Sequence, residues 1–208
     1  MVDPETDLVA VGGELRPEVL LAAYRRGIFP WPAEGMPMLW FSPAERAIVE
    51  FDRLHLGRTL ARARRRSTLR FTVDAAFAAV IGACATVPRP GQQGTWITPE
   101  VIAAYVRLHR RGVAHSVEAW HGSRLAGGIY GVAIDGAFSA ESMFHREADA
   151  SKLALVHLVE HLQARGLDWM DVQVLTPHLE RLGARTIPRA AFLARLARTR
   201  ARGLRLFD

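Results

Sequence analysis

Apolar positions along the chain change period at glycines and prolines, and these changes mark out the elements. Leu20, Leu21 and Tyr24 lie on one side of a short helix that Pro17 opens and Gly27 stops. A proline-rich aromatic segment from Ile28 to Pro43 carries Trp31, Trp40 and Phe41. Ala47 to Phe51 reads as a strand, His55 to Arg66 as a basic helix, and Leu69 to Val73 as a second strand, followed by an alanine-rich helix with Asp74 as its cap. The loop Thr86 to Gln93 is the best internal boundary, and Thr98-Pro99 starts a helix that ends at Gly112.

From His115 the period becomes two. Strands are expected at His115 to His121, Arg124 to Ile134 and Ala137 to Phe144, joined by Gly122-Ser123 and by the hairpin signal Asp135-Gly136. An amphipathic helix from Ala150 to Arg165, stopped by Gly166, leads to a strand at Trp169 to Leu175. Thr176-Pro177 opens a short helix and Pro188 begins the last one. A meander, a long crossover helix and a further strand fit an α+β acyltransferase-like core.

Composition narrows the partners. The 27 basic residues exceed 21 acidic ones, giving a net charge of +6 and a pI near 10.6, which favours a polyanionic partner; every basic residue except Lys152 is Arg, as a GC-rich genome would also produce. Arg58, Arg62, Arg65 and Arg66 share one helical face, and Arg195, Arg198 and Arg202 form a second strip. Either strip is a binding face or simply a solvated one. The single Cys84 sits in an apolar run and reads as a buried thiol. The acidic N-terminus lacks a signal-peptide pattern and no stretch approaches a membrane span, so a cytoplasmic protein is expected.

Three sets of residues bear on chemistry. His157, Glu160 and His161 match a short zinc-hydrolase pattern, but an amphipathic helix more often turns such histidines to solvent, and no metal is expected. The glycines of Gly127-Gly128-Ile129-Tyr130-Gly131 fit either a structural bulge or close approach to a ligand. Asp171 and Gln173 are two apart in an apolar strand and face one way, and Glu141 is a lone carboxylate among apolar residues. Buried, all three need polar partners, and a substrate can be one; an edge strand with a wet face is the competing explanation.

Six separated segments then resemble one family in order: Leu8 to Leu15, Arg26 to Trp31, Leu39 to Pro43, Gly94 to Thr98, Glu141 to Phe144, and Asp171 to Val174 with His178-Leu179, Leu182 to Ala184 and Ile187 to Arg189. They resemble the leucyl/phenylalanyl-tRNA-protein transferases. Phe41 stands where that family commonly has a second tryptophan, and Ala140 where it has glycine.

The resemblance implies a small N-terminal α/β domain over 1–88 and a C-terminal domain over 89–208 similar to the GCN5-related N-acetyltransferase fold, with no cofactor. It implies transfer of leucine or phenylalanine, less readily methionine, from Leu-tRNA or Phe-tRNA to proteins beginning with Arg or Lys, which marks them for N-end rule degradation; a monomer is expected. It assigns Asp171 to activating or orienting the acceptor amine and Gln173 to positioning that amine, and places Glu141 in the same site; on these residues the expectation is that Asp171 orients the amine, Gln173 holds the ester end of the donor and Glu141 pairs with the cationic acceptor. The same resemblance points to Trp31, Trp96, Ile129, Phe138 and Met143 for the donor side-chain pocket, and makes the Arg58, Arg62, Arg65 and Arg66 face a cradle for the acceptor stem. A CoA-dependent N-acyltransferase is the alternative, and it calls for a pyrophosphate cradle at a helix start.

Overall fold

The computed structural model describes residues 7–33, 35–87 and 95–208. The acidic extreme N-terminus, most of the Thr86 to Gln93 loop, and Gly94 lie outside them. Ten strands form two sheets among the described residues, with seven α-helices packed around them.

The large sheet is mixed and seven-stranded, in the order β10-β4-β9-β8-β7-β6-β5. Its centre is the expected meander of β6 (Ala114–His121), β7 (Arg124–Ile134) and β8 (Ala137–His145). Helix α5 (Ala150–Ala164) crosses from β8 to β9 (Trp169–Gln173), which makes β8 and β9 parallel; every other pair in the sheet is antiparallel. A crossover helix is what a parallel return requires.

Two strands from the first half of the chain complete this sheet. β4 (Glu45–Glu50) inserts between β9 and β10 (Arg185–Pro188), while β5 (Arg70–Val73) closes the far edge against β6. A division at 88/89 therefore runs through a single hydrogen-bonded sheet.

Helices cover both faces. A Cβ on Gly127 would lie 2.7 Å from Ala150 of α5, and one on neighbouring Gly128 would lie 3.1 Å from Val80 of α3 (Phe77–Thr86). Adjacent strand residues point to opposite faces, so α5 and α3 sit on opposite sides. Two apolar cores result, one beneath α5 and α7 (Arg189–Arg200), the other beneath α3, α4 (Pro99–Arg110) and α1 (Pro17–Arg25). No helix among the described residues is long and apolar enough to cross a membrane.

Several expectations change in detail. The aromatic segment contains β2 (Phe29–Pro30) and β3 (Leu39–Phe41), which join β1 (Leu8–Val11) in a small sheet of order β1-β3-β2. Asp74 does not cap α3. It adopts φ 58° and binds the Ser116 amide at 2.8 Å and His115 Nδ1 at 2.7 Å, while Glu118 accepts the Ala75 and Ala76 amides, each at 3.3 Å. β9 stops at Gln173 rather than Leu175, because Gln173 has φ 56°. Arg185–Pro188 is a strand, and the last helix begins one residue later.

The second basic strip is largely consumed internally. Arg195 binds Glu50 at 2.6 Å and lies over the Trp169 ring, and Arg202 reaches Asp168 at 3.2 Å.

Candidate functional site

Two β-bulges build the site. Along β7 and β8, Tyr130 pairs with Ser142 and Gly131 with Ala140, so Glu141 is an extra residue with no partner. Along β4 and β9, Ala47 pairs with Gln173 and Ile48 with Asp171, leaving Val172 as the extra residue. A bulge bends its strand and re-aims the side chains around it. Here the two bulges bring Glu141 and Gln173 together: Gln173 Nε2 donates to Glu141 Oε1 at 2.8 Å.

Gly131 makes the first bulge possible. A Cβ there would lie 2.4 Å from the Ser139 carbonyl oxygen and 2.5 Å from the Phe138 ring. The glycine cluster is thus packed against its own chain at all three glycines, and the structural explanation of it holds.

Asp171 lies behind this pair and is fully engaged. Its Oδ1 accepts Arg46 Nε at 2.8 Å and the Gln173 amide at 2.9 Å; its Oδ2 accepts Arg46 Nη2 at 2.7 Å and Ser139 Oγ at 2.9 Å. The carboxylate is 2% exposed and Arg46 1%. Arg46 also donates to the Gly27 carbonyl at 3.0 Å, and its guanidinium sits between the rings of Phe29 and Phe192, 4.7 and 4.5 Å from their centroids. A two-pronged guanidinium is the group that can hold both carboxylate oxygens in a fixed plane.

Glu141 faces a cavity of about 500 Å³. Phe29, Trp31 and Trp96 wall one side, and Ile129, Met143, Leu155, Val172 and Leu179 supply further apolar surface. The rings form a cluster, with Trp31 6.4 Å from Trp96 and 6.5 Å from Phe41. Ile129 and Met143 are cross-strand partners. Trp96 is held just ahead of α4, where Thr98 Oγ1 caps the helix by accepting the Val101 amide at 3.3 Å. The polar groups, Glu141, Ser142, Gln173, Thr176 and His178, are few beside the apolar lining. Such a site takes an apolar group and reads a small polar centre.

Burial pushes Glu141 up to about 8, with the Asp171 charge adding to the rise; hydrogen bonds from Tyr24 and Tyr105 and the charge of Arg46 oppose it. Tyr105 reaches Glu141 Oε2 at 3.4 Å and is hydrogen-bonded to Tyr24. Burial and the same carboxylate hold both phenols well above their ordinary range, so they remain hydroxyls at neutral pH.

Of the residues singled out by sequence, Glu141, Gln173, Trp31, Trp96, Ile129 and Met143 come together around this cavity. Asp171 adjoins it without lining it. Phe138 does not line it either: it is 2% exposed and packs against Phe207, in the core. Arg58, Arg62, Arg65 and Arg66 all lie exposed on α2 (Arg58–Arg66), away from the core.

The zinc-hydrolase residues are otherwise engaged. His157 stacks on Phe71, His161 bonds the Leu206 carbonyl at 2.9 Å, and Glu160 pairs with Arg64. Among the described residues no group of three or more His, Cys, Asp or Glu could hold a metal.

Arg46, Ser139 and the Tyr24–Tyr105 pair were not legible as site residues. Arg46 is 125 positions from Asp171, and Tyr24 is 81 from Tyr105, so no local spacing links them. A lone arginine beside an apolar strand run was the available signal for Arg46.

Two family models match the chain. Leucyl/phenylalanyl-tRNA protein transferase covers residues 48–197, and the N-terminal domain of the same name covers residues 13–44. The chain belongs to this family. The two models meet around β4, the N-terminal one ending just ahead of that strand and the larger one starting at Ile48 within it.

Family members of the same name are similar over most of their length. One from Anaeromyxobacter sp. (strain Fw109-5) is 58% identical over 191 residues, 92% of this chain and 81% of that one. One from Myxococcus xanthus (strain DK1622) is 53% identical over 194 residues, 93% and 83% of the two chains. Among solved structures, L-PGS from Bacillus licheniformis superposes with a TM-score of 0.40 at 15% identity, covering 76% of this chain and 50% of that one.

Proposed function

We propose that this protein transfers leucine or phenylalanine from aminoacyl-tRNA to the N-terminus of an acceptor protein beginning with Arg or Lys. Membership of the family makes it an aminoacyltransferase. The observation that carries the substrate reading is the cavity: an apolar, aromatic-walled space with Glu141 and Gln173 as its paired polar centre. An unbranched-at-Cβ apolar side chain fits such a lining, and Trp31 or Trp96 offers a face for the terminal adenine.

The reaction needs little acid–base chemistry. The acceptor α-amine attacks the ester carbonyl carbon, a C–N bond forms, the C–O bond to the ribose breaks, and the amine's proton ends on the ribose oxygen. Gln173, freed from rotation by its bond to Glu141, holds the ester end of the donor. Glu141, at about 8, matches an ordinary α-amine near 8, so a proton passes between them at small cost. Asp171, with all four of its acceptor positions filled, acts through Gln173 by fixing its backbone. Holding two substrates in attack geometry is the larger contribution, up to ~7–11 kcal/mol.

The exposed arginine face of α2 supports a cradle for the acceptor stem, bound through phosphate charge and shape. The α+β core, with its antiparallel meander followed by a parallel β8–β9 pair, supports a GCN5-related N-acetyltransferase-like arrangement.

The test is transfer of radiolabelled leucine from Leu-tRNA to a peptide starting with Arg, beside one starting with Ala, for wild type, Gln173→Ala and Asp171→Ala. Arg-selective labelling that collapses in the Gln173 variant is expected. No labelling by folded wild type sinks the reading and turns attention to acyl-CoA donors.

A further inference from the structure

Beside the cavity lies a second concavity of about 380 Å³. Its walls come from the first turn of α2, from the start of α5 and from α6 (Pro177–Arg181). His178 belongs to the walls of both concavities, so the two spaces meet at that side chain.

The second groove is cationic. Arg58, Lys152 and Arg181 face a single carboxylate, Asp149, which Lys152 holds at 2.7 Å. Arg58 and Arg181 are exposed and have no ion-pair partner among the described residues. His178 Nε2 is buried and has no hydrogen-bond partner among them. Burial first, then the charges of Lys152, Arg181 and His145, hold this ring below its ordinary range, so it adds no cation of its own at neutral pH.

The charge sorts the two substrates. An acceptor beginning with Arg or Lys brings a positive α-amine and a positive side chain, which this groove repels. The donor brings phosphodiesters, which it attracts. We propose that the groove lined by Arg58, Lys152 and Arg181 is a phosphate subsite for the single-stranded 3′ end of the donor tRNA, from which the aminoacylated terminal nucleoside passes His178 into the cavity. This rests on the transferase reading above. Arg58, at the start of α2, joins the subsite to the arginine face, so one phosphate track runs from acceptor stem to reacting ester.

The experiment compares two donors, leucyl-tRNA and 2′(3′)-O-leucyladenosine, the second carrying no phosphate. Arg181→Ala, Lys152→Ala and the charge reversal Arg181→Glu are measured against wild type. The expected result is a KM for leucyl-tRNA raised about tenfold by each alanine variant and further by the reversal, kcat nearly unchanged, and unaltered kinetics with leucyladenosine. The salt dependence of KM should become shallower by about 0.7 in log–log slope for each phosphate that a variant leaves unneutralised. Equal losses with both donors would mark the residues as structural and overturn the subsite, as would no change with either.

Anisotropy of a 5′-labelled CCA trinucleotide tests the groove without catalysis. Wild type should bind it and Arg181→Glu should not; equal binding overturns the subsite. If wild type binds CCA but transfers from neither donor, the transferase reading fails while the phosphate subsite stands.

Discussion

Arg46 holds both oxygens of Asp171 in a buried two-pronged ion pair, at 2.8 and 2.7 Å, and the remaining acceptor positions of that carboxylate go to Ser139 and to the Gln173 amide. Asp171 is therefore a hub that sets where Gln173 stands. Removing one partner leaves a buried charge without compensation, which costs about 3–5 kcal/mol, whereas replacing both with apolar groups is often neutral. Arg46→Met should unfold at markedly lower denaturant concentration than wild type, and Arg46→Met/Asp171→Leu should recover most of the loss. Neither should recover transfer. A double variant that is both stable and fully active would show that the pair does not position Gln173.

The acceptor amine and Glu141 both lose protons near pH 8. Below that pH, log kcat/KM should rise with a limiting slope of about 2 in wild type and about 1 in Glu141→Gln, at a lower plateau. An unchanged profile in Glu141→Gln would remove Glu141 from proton transfer.

The raised Glu141 also affects stability. Between its ordinary 4.5 and about 8 the folded protein keeps a proton that the unfolded chain has lost, so stability from this group falls as pH rises through that window. Glu50 works in the opposite direction. Hydrogen bonds from Arg185 and Arg195 hold it at about 2, so its contribution is present above 4.5 and is lost as pH falls toward 2. Thermal melts from pH 5 to pH 2 should show a declining Tm in wild type and a flatter decline in Glu50→Gln.

Trp31 and Trp96 wall the cavity with their ring centroids 6.4 Å apart. Trp31→Ala should lower kcat/KM for Leu-tRNA by about tenfold, since one stacked ring contributes ~1–3 kcal/mol. Phe138→Leu, a change in the core away from the cavity, should alter melting temperature more than donor choice.

On α2, Arg62→Ala and Arg65→Ala should each weaken Leu-tRNA binding without discriminating among tRNA sequences, and each should make its salt dependence shallower. Filter binding across a salt series reads both. Steeper discrimination among tRNAs in the variants would mean that the face reads sequence.

The meander and the crossover helix were legible because both depend on local patterning: alternation over β6 to β8, a hairpin signal at Asp135-Gly136, and helical spacing from Ala150. The short strands β1, β2, β3 and β10 were not, since these segments carry no strand signal of their own and exist only through their partners. Asp74 matched a helix cap locally but is drawn away by Ser116 and His115.

The candidate site divides along the same line. By itself the sequence determined the family, the arginine face of α2, and the chemical candidates Glu141, Asp171 and Gln173, because motifs and residue types are properties of the chain. Tertiary structure alone decided that Glu141 and Gln173 face the cavity while Asp171 stands behind them, that Phe138 is core, and that Arg46 completes the hub. Those outcomes depend on two bulges and on pairings between residues as much as 125 positions apart, and no local period encodes a register shift or a partner on another strand.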